Sequence, residues 1–163
     1  MEKKAVYPGS FDPITNGHVD IIRRGLKIFN HILIAVLENP EKKPLFSTNE
    51  RVTMIQEIFP NQDKVEVKAF RGLLVDFARE NDAKILIRGL RAISDFEYEF
   101  QMTLMNRRLD PEIETFFMMP NVHYSFISSK LVKEVCMLGG ALEDLVPFEV
   151  EKKLRTKYKN NPE

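Results

Sequence analysis

Short apolar runs rich in β-branched residues alternate along this chain with longer segments whose apolar residues recur at helical spacing, and few folds accept that alternation. The runs Lys4–Tyr7, His31–Leu37, Lys64–Phe70, Lys84–Arg88 and Glu114–Met118 read as strands. Between them Gly17–Phe29, Thr48–Phe59, Leu73–Asn81 and Asp95–Leu109 read as helices, with Val19, Ile22, Leu26 and Phe29 on one face of the first. A helix between successive strands is a crossover, so the expected architecture is α/β, a five-stranded parallel sheet doubly wound with helices on both faces. Beyond the fifth strand, Ser128 or Ser129 can cap a helix that reaches about Leu138 and is ended by Gly139-Gly140. A last helix follows Pro147, and Lys157–Glu163 reads as a polar, frayed tail. At 163 residues the chain suits one core, hence a single domain over residues 1–158 and a tail over 159–163.

Composition removes several function classes. Lysine plus arginine number 24 and so do aspartate plus glutamate, so no net field draws a polyanion, and nucleic acid is not an expected partner. No apolar run is long enough to span a bilayer and the first residues carry no apolar leader, which makes a cytoplasmic protein the expectation. Cys136 is the one cysteine; it can form no internal disulfide, lacks the spacing of a zinc site and reads as core packing. Any phosphate recognition must therefore be local.

In an open parallel sheet ligands bind beyond the carboxyl ends of the strands. The loop after the first strand runs from Pro8 to His18 and holds neither a Gly-rich dinucleotide fingerprint nor a P-loop. Thr15-Asn16-Gly17-His18 instead sets a histidine in the first turn of a helix, where orphan N–H groups favour an anion; the plainer alternative is a Thr15 or Asn16 cap beside a surface histidine. After the fourth strand, Arg88-Gly89-Leu90-Arg91 can present two guanidinium forks to a polyphosphate, or the two arginines can simply pair with Asp95, Glu97 or Glu99. After the fifth, Ser128-Ser129-Lys130 opens a helix and is either a further phosphate seat or an ordinary serine cap. Three anion seats at the strand ends of one sheet are harder to explain by accident than any one of them.

Tyr7-Pro8-Gly9-Ser10-Phe11-Asp12-Pro13, then Thr15-Asn16-Gly17-His18, and late in the chain Ile127-Ser128-Ser129, resemble the nucleotidyltransferase superfamily marked by T/H-x-G-H and I-S-S motifs. With Lys42-Lys43-Pro44, Leu86–Arg91, Asp95–Glu99 and Met105-Asn106-Arg107 in order, nearly the whole chain resembles the bacterial phosphopantetheine adenylyltransferase family. The resemblance implies a Rossmann-like fold, transfer of AMP from ATP to 4'-phosphopantetheine giving dephospho-coenzyme A and pyrophosphate, Mg2+ carried on the ATP phosphates with no protein metal ligand, and a homohexamer. It implies that His18 bonds the α-phosphate as the catalytic residue. Ser10, Phe11, His18, Gly89, Leu90, Arg91, Glu99 and Tyr124, Ser125, Phe126, Ile127, Ser128, Ser129 and Lys130 would line the ATP site. Lys42, Arg88, Ser10 and Leu74 would hold the acceptor. Ser10 stands where threonine is common, which keeps the hydroxyl, and Lys130 where a small polar residue is common, which leaves its role open.

The chemistry is consistent with those residue types. A phosphate monoester, its second pKa about 6, is largely dianionic at neutral pH and needs no general base, so alignment and charge stabilisation at the α-phosphate carry the reaction. Magnesium retains much of its water and takes few protein ligands. The helix from Asp95 carries Phe96, Phe100 and Leu104 on one face and Tyr98, Met102 and Met105 on another, more apolar surface than one small domain can cover; it suits an acceptor pocket together with a subunit contact. Rival readings are a nicotinamide mononucleotide adenylyltransferase or a cytidylyltransferase of the same superfamily, the former typically with arginine where this chain has Lys133, and a non-catalytic nucleotide sensor on a similar frame.

Overall fold

The computed structural model describes residues 3–39, 41, 43–91 and 93–160. Five parallel strands, β1 (Lys4–Gly9), β2 (His31–Leu37), β3 (Val65–Phe70), β4 (Ile85–Gly89) and β5 (Glu114–Met118), lie in the order β3-β2-β1-β4-β5. Crossovers are made by α1 (Asn16–Gly25), α2 (Thr48–Ile58), α3 (Leu74–Glu80) and α4 (Ile93–Leu109), and the chain ends in α5 (Ser129–Met137) and α6 (Phe148–Asn160). The order reverses between β1 and β4, so the loops leaving those two neighbours diverge and open a crevice between them.

Side chains on a strand alternate between faces, and the core divides accordingly. Ala5, Tyr7, Ile32, Ile34, Val36 and Ile87 point to one face and pack with α1, α2, α5 and α6. Val6, Leu33, Ala35 and Leu86 point to the other and meet Val75, Phe77 and Ala78 of α3. Helices thus cover both faces, as the alternating sequence predicts. The second face has the thinner cover, and there α4 leaves Tyr98, Phe100, Leu104, Met105 and Leu109 exposed on the single chain.

Several helix starts are set by local chemistry. The Thr15 and Ser47 hydroxyls each accept the N–H three residues on, while His18 and Glu50 reach back to the cap N–H, and Ser128 caps α5 by accepting from Leu131 N–H at 3.0 Å. Two boundaries differ from the periodicity. Helix α1 stops at Gly25, before Phe29, where the bonds tighten into turns, Lys27 N–H donating to Arg24 O at 3.1 Å and Ile28 N–H to Gly25 O at 2.9 Å, before the chain enters β2. Helix α6 continues through Asn160 instead of fraying from Lys157: Lys157 Nζ is 2.8 Å from Glu50 Oε1, and Tyr158 packs against the core. Residues 161–163 of the expected tail lie outside the described residues. Among the described residues no helix is long and apolar enough to cross a membrane.

Candidate active site

The loops after β1, β4 and β5 close around one cavity of 470 Å3 at the β1/β4 switch. Ser10, Phe11, His18, Arg88, Gly89, Arg91, Glu99, Tyr124, Ile127, Ser128, Ser129 and Lys130 all line it. A second cavity of 320 Å3 shares Ser10, Ser129 and Lys130 and continues past Lys43, Arg51 and Lys133.

His18 is held by the helix it helps to start. The Thr15 backbone N–H donates to His18 Nδ1 at 3.0 Å, so Nδ1 is an acceptor and the proton of the neutral ring sits on Nε2. Burial and, after it, the nearby Arg91 charge push the imidazole pKa down to about 4. At neutral pH the ring is therefore an uncharged N–H donor rather than a cation. Its edge meets the Phe11 ring at 5.1 Å, and Phe11 in turn meets Tyr7 at 5.4 Å. Phe11 has φ +48°, a left-handed conformation costly for a bulky residue, and it turns the backbone at the cleft wall.

Both arginines line the cleft and both are engaged, Arg88 in a largely withdrawn pair and Arg91 in a partly exposed one. Arg88 Nε and Nη2 donate to the two oxygens of Glu99, and Nη1 donates to Pro8 O at 3.2 Å. Of five N–H donors three are used, which leaves two for a ligand. Arg91 Nε donates to Asp95 at 3.2 Å and its Nη1 to Ile127 O at 3.1 Å, tying the β4 loop to the segment before α5. Glycine between them leaves room for Ile21: a Cβ on Gly89 would stand 2.6 Å from Ile21 Cδ1, so the isoleucine tip would have to move. Both serines also have partners, Ser128 as cap and Ser129 by donating to Pro13 O at 2.7 Å.

Not every expected residue reaches the cavity. Leu90 donates its N–H to Met118 O at 3.0 Å; Ser125 Oγ donates to Val122 O, and the Phe126 ring is exposed. Leu74 opens α3 and packs beside the second core. Lys42 lies outside the described residues. The sequence reading missed Asp12, Arg51 and Lys133 as members of the site. A signal existed for Arg51, which sits on α2 one turn before the buried Met54 and Ile55, so that the helix must bury a charge.

Residues 6–135 match the family profile described as cytidylyltransferase-like. The chain is 55% identical over 161 residues to the phosphopantetheine adenylyltransferase of Clostridium botulinum (strain 657 / Type Ba4), covering 99% of this chain and 98% of that one. It is 56% identical over 156 residues to the phosphopantetheine adenylyltransferase of Geotalea daltonii, covering 96% and 97%. Among solved structures, a Vibrio parahaemolyticus protein assigned as a nicotinate-nucleotide adenylyltransferase superposes with a TM-score of 0.67 at 15% identity, over 98% of this chain and 93% of that one, a likeness that speaks for the fold alone.

Proposed function

We infer the activity from family and site together: the chain belongs to the phosphopantetheine adenylyltransferase family, within the cytidylyltransferase-like proteins, and it transfers AMP from ATP to 4'-phosphopantetheine. The observation that carries this reading is the convergence of His18, the Arg88/Arg91 loop and the start of α5 on one cavity.

In the reaction an oxygen of the acceptor phosphate forms a bond to the α-phosphorus of ATP as the bond to pyrophosphate breaks, giving dephospho-coenzyme A. The acceptor dianion is already a nucleophile, so no base is required. His18 is the catalytic residue: its Nε2–H donates to an α-phosphate oxygen, a bond that strengthens as charge gathers there. Because Thr15 N–H holds the ring before substrate arrives, little reorganisation is needed. The two N–H groups left on Arg88, with Lys42, Ser10 and the chain near Leu74, hold the acceptor. Arg91, Gly89, Leu90, Ser10, Phe11 and the stretch Tyr124–Lys130 receive ATP. Glu99 lines the ATP side and holds Arg88 towards the acceptor.

Magnesium belongs to this proposal as an ion carried on the ATP phosphates. The residues suit that role, since the Asp12 and Glu99 carboxylates at the cleft are engaged by Lys133 and Arg88 and offer no ready cage. The reading places the enzyme in the cytoplasm, with its nucleotide. The exposed apolar residues of α4 support a homohexamer in which other copies cover that helix. Sedimentation equilibrium should give a six-subunit mass, and a monomeric mass refutes it.

Pyrophosphate release from ATP with a panel of acceptors tests the activity. Phosphopantetheine should support turnover and pantetheine, which lacks the nucleophile, should not. Turnover with nicotinamide or nicotinate mononucleotide and none with phosphopantetheine overturns the assignment.

A further inference from the structure

Behind the cleft lies a charged group that the reaction as derived does not use. Asp12, 6% exposed, accepts from Leu45 N–H through Oδ2 and from Phe46 N–H through Oδ1, each at 2.9 Å, and from Lys133 Nζ through Oδ2 at 2.8 Å. Arg51, 3% exposed, donates through Nη1 to Ser10 O at 2.6 Å and Leu37 O at 3.0 Å, and through Nε to Phe46 O at 3.2 Å. These bonds grip both ends of the loop between β2 and α2, at Leu37 and at Leu45-Phe46, and join it to the loop after β1. Lys43 lies on that loop and, with Lys130 at the start of α5, lines the adjoining cavity. Lys133 sits on α5, one turn past the serines. A single carboxylate therefore spans from the wall that carries Lys43 to the wall that carries Ser128 and Ser129.

Burial of two charges so close to solvent-facing loops is costly unless each is bonded, and here Asp12 accepts three hydrogen bonds and Arg51 donates four. Packing the loop alone would need only apolar contacts. The link from Asp12 across to Lys133 is what a packing role leaves unexplained.

We propose that Asp12 is a positioning residue that, through Lys133 on one side and the Leu45 and Phe46 N–H groups on the other, sets the separation of the two cleft walls that receive phosphate. The proposal rests on the adenylyl-transfer reading. It does not require Lys133 to touch substrate, since the ammonium acts as a strut to α5.

The test is a double-mutant cycle of Asp12→Asn, Lys133→Met and the double variant, measured on the full chain. Pyrophosphate release is followed with ATP and phosphopantetheine varied separately, and binding of α,β-methylene-ATP by isothermal titration. Each single variant should lose about 100-fold in kcat/KM, the scale on which small misplacements of reacting groups act, with an unchanged circular dichroism spectrum. The double variant should lose no more than the worse single one, because both cut the same link. Losses that multiply overturn the proposal, for they make Lys133 an independent ligand of substrate. Wild-type kcat/KM in Lys133→Met overturns it as well. If Asp12→Asn does not fold, Asp12→Glu, which keeps the charge and moves it, replaces it in the cycle with the same expectation. If the wild-type chain releases no pyrophosphate with phosphopantetheine, the activity reading fails by itself; the titration still judges the strut, by weaker binding of the analogue to Lys133→Met.

Discussion

The two ends of the sheet carry the same kinds of ion pair and use them differently. At the amino end, Lys84 faces Glu112 at 2.9 Å and Arg107 faces Glu114, with more than half of each side chain open to water. At the carboxyl end, Asp12–Lys133 and Arg88–Glu99 are mostly withdrawn from it. Exposed pairs are screened and contribute little, whereas withdrawn ones are strong only as complete sets, so they hold geometry. The contrast teaches that charge at the carboxyl end fixes the geometry of the cleft loops, while charge at the amino end is a solvated rim.

The largest expected effect lies with His18, a donor that carries no charge. His18→Ala should lower kcat by roughly 100- to 1,000-fold, about 2.7 to 4 kcal/mol, with a much smaller change in the KM for ATP and an intact circular dichroism spectrum. A loss seen wholly in KM would return His18 to the role of a helix-start residue.

Next come the two ends set against each other. Arg88→Met leaves the Glu99 carboxylate withdrawn and unpaired and should cost about 3 kcal/mol of stability as well as acceptor affinity, while Arg107→Met should cost under about 0.5 kcal/mol. Urea unfolding reads both, and equal losses would erase the distinction drawn here.

Acid should act through His18 with a defined sign. Its folded pKa, about 4, lies below the ordinary value of 6.5, so the unfolded chain takes up the proton first. The His18 contribution is intact above pH 6.5, is lost as pH falls from 6.5 towards 4, and by then amounts to not more than about 3 kcal/mol. Melting curves of wild type and His18→Gln should converge over that window. Parallel curves would mean that the ring is not held neutral.

Arg91, more exposed than Arg88, should matter less. Arg91→Ala should weaken ATP by about 1.5 kcal/mol, near the low end for a charge-assisted bond, with acceptor binding unchanged in isothermal titration. The smallest effect should come from Lys84→Ala at the rim, within about 0.5 kcal/mol in stability and none in turnover. A measurable fall in kcat there would show that the amino end communicates with the cleft.

Local rules carried much of this far into the molecule. The five strands were legible because β-branched runs alternate with helical period, and their bounds moved by no more than two residues. Ser128 at the start of α5 was legible as a cap, and His18 as a residue of a first helical turn, because capping is decided within four residues. The Arg88 and Arg91 loop was legible as a place, but not its partners. Both the phosphate-fork reading and the ion-pair reading were open, and the fold shows the pairs, Arg88 with Glu99 and Arg91 with Asp95, on arginines that line the cleft.

What the sequence determined by itself is what depends on near neighbours: the periodicities, the helix starts and the set of loops at one end of a parallel sheet. The tertiary structure alone decided that Asp12 meets Lys133, 121 residues away, and that Arg51 turns its charge onto the carbonyls of Ser10 and Leu37. It also decided that burial would hold the His18 ring uncharged. Such contacts and pKa shifts arise only when strand order brings distant loops together and excludes water between them, and no spacing along the chain encodes that distance directly.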